Sequence, residues 1–141
     1  MAIHFFSEEI KFELPQKLKR KNWLKKIAAS ENFKLGELNY IFCSDEYLYQ
    51  INVDYLAHHT YTDIITFDNS EVEGKIEGDI FISIDRLKEN ASKHQQLEEA
   101  ELSRVISHGL FHLMGYKDKS KDQSKIMRSK EDFAINLFQN I

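Results

Sequence analysis

The sequence predicts an α+β domain, a small mixed sheet packed with helices and carrying a zincin-like metal helix in its C-terminal half. Three observations lead there. The first part of the chain holds short runs that alternate in polarity or are rich in β-branched and aromatic residues. The remainder repeats apolar residues at helical spacing. No apolar segment approaches the ~20 residues needed to cross a membrane.

The elements follow in order. Ile3 to Phe6 suits a short strand, and Pro15, the only proline, suits the first turn of a helix continuing to about Ala29. From Gly36 to Cys43, Leu38, Tyr40 and Phe42 alternate with Glu37, Asn39 and Ile41, which predicts a strand. Ser44 then offers an N-cap, with Asp45 and Glu46 in the first turn, for a helix reaching about Tyr55. Residues 62–67 and 78–84 read as strands separated by a polar loop containing Asn69 and Gly74. Helical segments follow over about 85–95, 97–114 and 122–138. Helices on a small sheet make an α+β domain.

The 141 residues fit one domain, 1–141, able to bury roughly two thirds of its unfolded surface. Apolar content of 42% and charged content of 30% are those of a globular protein. The lone Cys43 lies in an apolar run, forms no intrachain disulfide and reads as core filler. It suits a reducing cytoplasm, and the first residues lack the basic start and apolar core of a signal peptide. The expectation is a cytoplasmic protein without a membrane partner; oligomeric state is left open.

The most informative stretch is His108-Gly109-Leu110-Phe111-His112-Leu113-Met114-Gly115-Tyr116-Lys117-Asp118. Histidines four apart on a helix share a face, and the stripe Leu102, Val105, Ile106, Leu110, Leu113 predicts that helix. Gly115 tolerates the left-handed conformation that ends a helix, so the chain can fold back and bring Asp118 to the imidazoles. Such histidine pairs also occur as ordinary surface or core residues; the helix, the stop glycine and the downstream carboxylate favour a metal site. Two histidines and a carboxylate leave a fourth tetrahedral position open, as catalytic zinc sites do. The donor set also suits nickel, iron or manganese. The spacing matches the long zincin motif, but Gly109 stands where a zinc protease carries its general-base glutamate. Ordinary proteolysis is therefore disfavoured, and the catalytic base is unassigned.

This motif, followed by Met127 and Glu131, resembles the signature of the bacterial YbeY family of metal-dependent endoribonucleases. Thr62-Asp63-Ile64-Ile65-Thr66-Phe67 resembles that family's Thr-Asp-Val-Leu-Ser-Phe block, and Gly78-Asp79-Ile80-Phe81-Ile82-Ser83 its Gly-Asp-Ile-Val-Ile-Ser strand. The resemblance covers roughly residues 35 to 135. It implies a single-strand-specific endoribonuclease acting in rRNA processing (3′ end maturation of small-subunit rRNA) and ribosome quality control, with rRNA or a ribosomal subunit as partner. It also implies a zinc-type ion on His108, His112 and Asp118. Two departures stand out. The third ligand is an aspartate in Tyr116-Lys117-Asp118, where the family usually reads Tyr-Asp-His, which lowers the site's formal charge by one unit. The family's usual arginine before the Thr-Asp block falls at Leu56. A metal-dependent hydrolase of peptide or small molecule, and a non-catalytic ribosome assembly factor, remain open alternatives.

The net charge of −4 is unhelpful for RNA, whose affinity comes largely from cations on phosphates. The cations are clustered, however. Lys17, Lys19, Arg20, Lys21, Lys25 and Lys26 are uninterrupted by acids, and Lys17, Lys21 and Lys25 would stripe one helix face. Lys117, Lys119, Lys121, Lys125, Arg128 and Lys130 follow the metal motif. Lys117, Lys119 and Lys121, with His59 of the His58-His59 loop, are the candidate substrate-binding residues. His4 and His94 read as surface residues. Asp63 and Asp79 serve either as strand-start caps or as partners of a metal ligand, and Met127 as core or as the floor beneath a metal.

Overall fold

The computed structural model describes residues 2–141. The elements run β1 (Ala2–Glu8), α1 (Lys17–Ser30), β2 (Lys34–Cys43), α2 (Asp45–Leu56), β3 (Ile64–Asp68), β4 (Lys75–Ser83), α3 (Ile84–Lys93), α4 (Glu98–Leu113) and α5 (Lys121–Gln139). The sheet order is β1-β2-β4-β3. β1, β2 and β4 are parallel and β3 is antiparallel to β4, so the sheet is mixed as expected.

Strand alternation divides the side chains between two layers. Leu38, Tyr40 and Phe42 of β2 and Ile76, Ile80 and Ile82 of β4 face a core completed by Trp23, Leu24 and Ile27 of α1 and by Ile106, Leu110 and Phe111 of α4. On the opposite face α2 lays Leu48 over Cys43 and Ile65. The α2 start is as the sequence predicts: the Ser44 hydroxyl accepts a hydrogen bond from the Tyr47 N–H.

Helix α4 runs unusually close to the sheet. A Cβ on Gly109 would come within 2.9 Å of Ile80 Cγ2 and 3.1 Å of Ile64 Cδ1. This contact seats the helix that carries the histidines directly on β3 and β4. It also removes any room for a glutamate at that position.

Three expectations are corrected. Pro15 is not in a first helical turn: α1 begins at Lys17, and Gln16 caps it from a left-handed conformation, φ 57°, without a side-chain hydrogen bond. Burial of Leu14, 3% exposed, fixes the chain before the helix and displaces its start. Arg20 does not belong to a basic surface, because it is fully buried, donates to Ser103 Oγ at 2.8 Å and lies 4.0 Å from the Phe138 ring centre. Burial lowers its pKa to about 10 despite the charge of Glu99. Thr62 and Asp63 precede β3 rather than opening it; the Asp63 carbonyl accepts from the Ser83 N–H.

Candidate metal centre

Helical periodicity places His108 and His112 on one face of α4, their ring centres 4.4 Å apart and nearly perpendicular. The helix then stops in a Schellman motif. The Tyr116 N–H bonds to the Phe111 carbonyl and the Gly115 N–H to the His112 carbonyl, with Gly115 at φ 108°. Tyr116 packs edge-on against Phe111, the apolar contact typical of that motif. The reversal carries the chain back over the helix. Asp118 Oδ2 comes to 3.3 Å from His108 Nε2 and 3.6 Å from His112 Nε2.

These distances test the donor set directly. Ligands about 2.0–2.2 Å from one ion at tetrahedral angles lie roughly 3.3–3.5 Å apart, and the spacings to Asp118 match. Among the described residues this is the one group of histidine, cysteine or acidic side chains able to hold an ion, its donor atoms all within 4.8 Å of one another.

Each imidazole is oriented through its other nitrogen. His108 Nδ1 lies 2.5 Å from Glu131 Oε2, and the second oxygen of that buried carboxylate accepts from Arg104 at 2.7 Å. Arg104 spends its other arm on Asp132. His112 Nδ1 lies 2.9 Å from the Tyr116 carbonyl. Such partners fix ring orientation and leave Nε2 for a metal. Burial alone would lower the pKa of His108, but the Glu131 hydrogen bond and the charges of Glu131, Asp118 and Asp63 outweigh it and hold the value raised.

The loop itself is pinned from the far end of the sequence. Glu31, the C-cap of α1, accepts from the Tyr116 hydroxyl at 2.5 Å and from Lys130 Nζ at 2.7 Å. Burial opposes the charged form of Glu31, yet these donors outweigh it and lower its pKa.

Of the residues singled out from sequence, the structure gathers His108, His112 and Asp118 and no others. Lys117, Lys119 and Lys121 are exposed beside Asp118. His59 is exposed on the loop between α2 and β3, and Leu56, 41% exposed, ends α2. Asp63 bonds to neither histidine through its carboxylate; its charge acts on His108 through space. Asp79 is held by Asn39 and Asn69, and Met127 is buried in the core. Glu131 stood in the motif without a role, and Arg104 and Glu31 gave no sequence signal. Arg104, Glu131 and His108 meet across two helices, an encounter that spacing along one helix does not reveal.

An α+β chain whose helix α4 and following loop bring two imidazoles and one carboxylate to ligand spacing has a donor group that could hold a metal ion. Comparison with known proteins is more specific. The chain belongs to the YbeY family: the family model described as Endoribonuclease YbeY matches residues 3–139. An Endoribonuclease YbeY of Cytophaga hutchinsonii is 56% identical over 96% of this chain and 95% of its own length. One from Christiangramia forsetii is 46% identical over 96% of this chain and 94% of its own. A Thermotoga maritima protein of known solution structure superposes with a TM-score of 0.70 at 25% identity, covering 99% of this chain and 90% of that one.

Proposed function

We propose that residues 1–141 act as one domain, a metal-dependent endoribonuclease that cuts single-stranded RNA, with His108, His112 and Asp118 holding one divalent ion, zinc or another transition metal that two imidazoles and a carboxylate suit. The observation that carries this reading is the convergence of both Nε2 atoms and Asp118 Oδ2 while both Nδ1 atoms are engaged elsewhere. Membership of the endoribonuclease family supports RNA as substrate; the setting in this reading is rRNA processing on a ribosomal subunit in the cytoplasm. An ion bound there supplies a Lewis acid for a phosphoryl oxygen and lowers the pKa of a water.

The chain's own residues do the rest. Glu131 and the Tyr116 carbonyl keep the rings turned inward. Lys117, Lys119 and Lys121, exposed around Asp118, place the RNA backbone through phosphate contacts that carry little sequence information; His59 is a further candidate contact. Peptide hydrolysis is disfavoured because Gly109 excludes the glutamate that such chemistry uses.

The test is cleavage by protein stripped of metal and then reloaded with single ions. Reloaded protein should cut single-stranded RNA, spare duplex RNA and casein, and lose activity as salt rises. Peptide cleavage without RNA cleavage would replace this reading.

A further inference from the structure

The loop that carries Asp118 is held at two places, and the two holds act on different donor atoms. Downstream, the Ser124 hydroxyl donates to the Asp118 carbonyl at 2.9 Å. Upstream the hold is on Tyr116, every polar group of which is engaged. Its N–H bonds to the Phe111 carbonyl, its carbonyl lies 2.9 Å from His112 Nδ1, and its hydroxyl donates to Glu31 Oε1 at 2.5 Å. We propose that Glu31, at the end of α1, is a positioning residue for the metal centre, acting through Tyr116 to keep His112 Nε2 bare and available to the ion. The inference rests on the metal-centre reading above and extends it to a side chain that is bonded to Tyr116 and Lys130 and to none of the three ligands.

The Tyr116 carbonyl decides which nitrogen of His112 can ligate. A carbonyl oxygen only accepts, so the contact requires the ring proton on Nδ1 and leaves the Nε2 lone pair free. This selection lasts only while the carbonyl stays in place. The backbone alone does not secure it, because the preceding residue is Gly115 at φ 108°, the residue type with the widest conformational freedom. The side chain supplies the second fixed point. The ring packs edge-on against Phe111, and the phenol meets a carboxylate, a charge-assisted bond of the stronger kind.

Glu31 is a firm anchor for that bond. Its side chain is only 17% exposed, and its second oxygen accepts from Lys130 Nζ of α5 at 2.7 Å. An exposed ion pair would contribute little. This sheltered one ties α1, α5 and the metal loop together at the residue whose carbonyl sets His112.

The experiment measures two quantities in each variant: zinc affinity by chelator competition, and the His112 tautomer from imidazole nitrogen resonances of metal-free protein at a pH where the ring is neutral. Tyr116→Phe keeps the ring on Phe111 and removes only the hydroxyl; Glu31→Ala removes its acceptor. Each should weaken zinc binding by about tenfold, the lower end of losses from outer-shell partners, and move His112 towards the Nε2–H tautomer. The double variant should be no weaker than the weaker single one, as expected for two ends of one interaction. Glu31→Gln, which can still accept from the hydroxyl, should recover most of the affinity. Lys130→Met loses a bond to Glu31 but leaves Tyr116 attached, and should bind zinc within about twofold of wild type. An unchanged tautomer or unchanged zinc affinity in Tyr116→Phe overturns the proposal, as does a loss in Lys130→Met equal to that in Glu31→Ala, which would mark a general loss of stability. Absence of zinc binding in wild type, with the tautomer still moving in the variants, would instead refute the metal-centre reading and leave the positioning of His112 by Glu31 standing.

Discussion

Replacing Glu131 by alanine removes the carboxylate that both turns His108 inward and receives Arg104. Its side chain is 8% exposed and its two contacts are 2.5 and 2.7 Å long. Hydrogen bonds to charged groups contribute about 1.5–3 kcal/mol each, but Arg104 keeps Asp132 and part of its exposure, so the stability loss should sit near the lower end. The loss of metal affinity is the sharper readout. Removing an outer-shell partner of a ligating histidine typically costs about 10–100-fold in affinity, equivalent to about 1.4–2.7 kcal/mol. A chelator competition titration measures this directly. Thermal unfolding checks it independently, because metal-induced stabilisation scales as RT ln(1 + [L]/Kd) and should shrink by the same amount at saturating ion. Glu131→Gln should fall between: its oxygen can serve His108, but its amide then faces a guanidinium donor. If Glu131→Ala holds metal within about twofold of wild type, Glu131 only neutralises Arg104, and the account of how His108 is oriented is wrong.

Other outcomes follow from single contacts. Asp118→Ala should weaken metal binding by at least about tenfold, while Asp118→His should retain it, since imidazole ligates at a similar distance of about 2.0–2.1 Å; unchanged affinity in the alanine variant would exclude Asp118 as a ligand. Gly109→Ala pushes a methyl to 2.9 Å from fully buried Ile80 and should destabilise by about 1–2 kcal/mol in denaturant unfolding, overpacking outweighing the gain in helix propensity. Glu31 has its folded-state pKa below the ordinary 4.5, so its contribution is present above 4.5 and is lost as pH falls through the folded value. Glu31→Gln should therefore lower stability at neutral pH and flatten the acid limb of the stability profile; an unchanged acid limb would show that the Glu31 bonds to Tyr116 and Lys130 are not formed in solution.

How much of this was legible in the sequence depends on whether the interaction was local. The alternation of Leu38, Tyr40 and Phe42, the Ser44 cap and the four-residue spacing of the histidines are encoded within a turn or a strand, and the structure agrees with each. Gly115 announced the helix stop for the same reason. What the sequence could not disclose were meetings between distant segments. Arg20 looks like one more cation in a basic run, and only the approach of Ser103 and Phe138 reveals that it is buried. Glu31 looks like a surface acid, and only the packing of α1 near α5 brings it to Tyr116 and Lys130. Gly109 is visible in the sequence as the residue standing where a zinc protease has glutamate, but the β4 isoleucine that fills the space beside it is a tertiary contact.

The same contacts decide whether the metal serves chemistry or merely holds the chain together. Both histidines stand on α4, whose opposite face is fixed by Ile106, Leu110 and Phe111 in the main core. Their rings are oriented by Glu131 and the Tyr116 carbonyl, neither of which needs an ion to stay in place. Asp118 differs: its side chain is 40% exposed and touches only the two imidazoles. Removing the ion should therefore loosen the 117–119 loop and leave the sheet and helices intact. Chelation is expected to abolish RNA cleavage and to lower stability only by the linkage amount, about 2.7 kcal/mol for an ion previously held at a hundred times its Kd. Far-UV dichroism should be unchanged, and amide exchange should rise around Asp118 but not within α4. A cooperative loss of helix on chelation would mean that the ion completes the fold, and the site would have to be reread as structural.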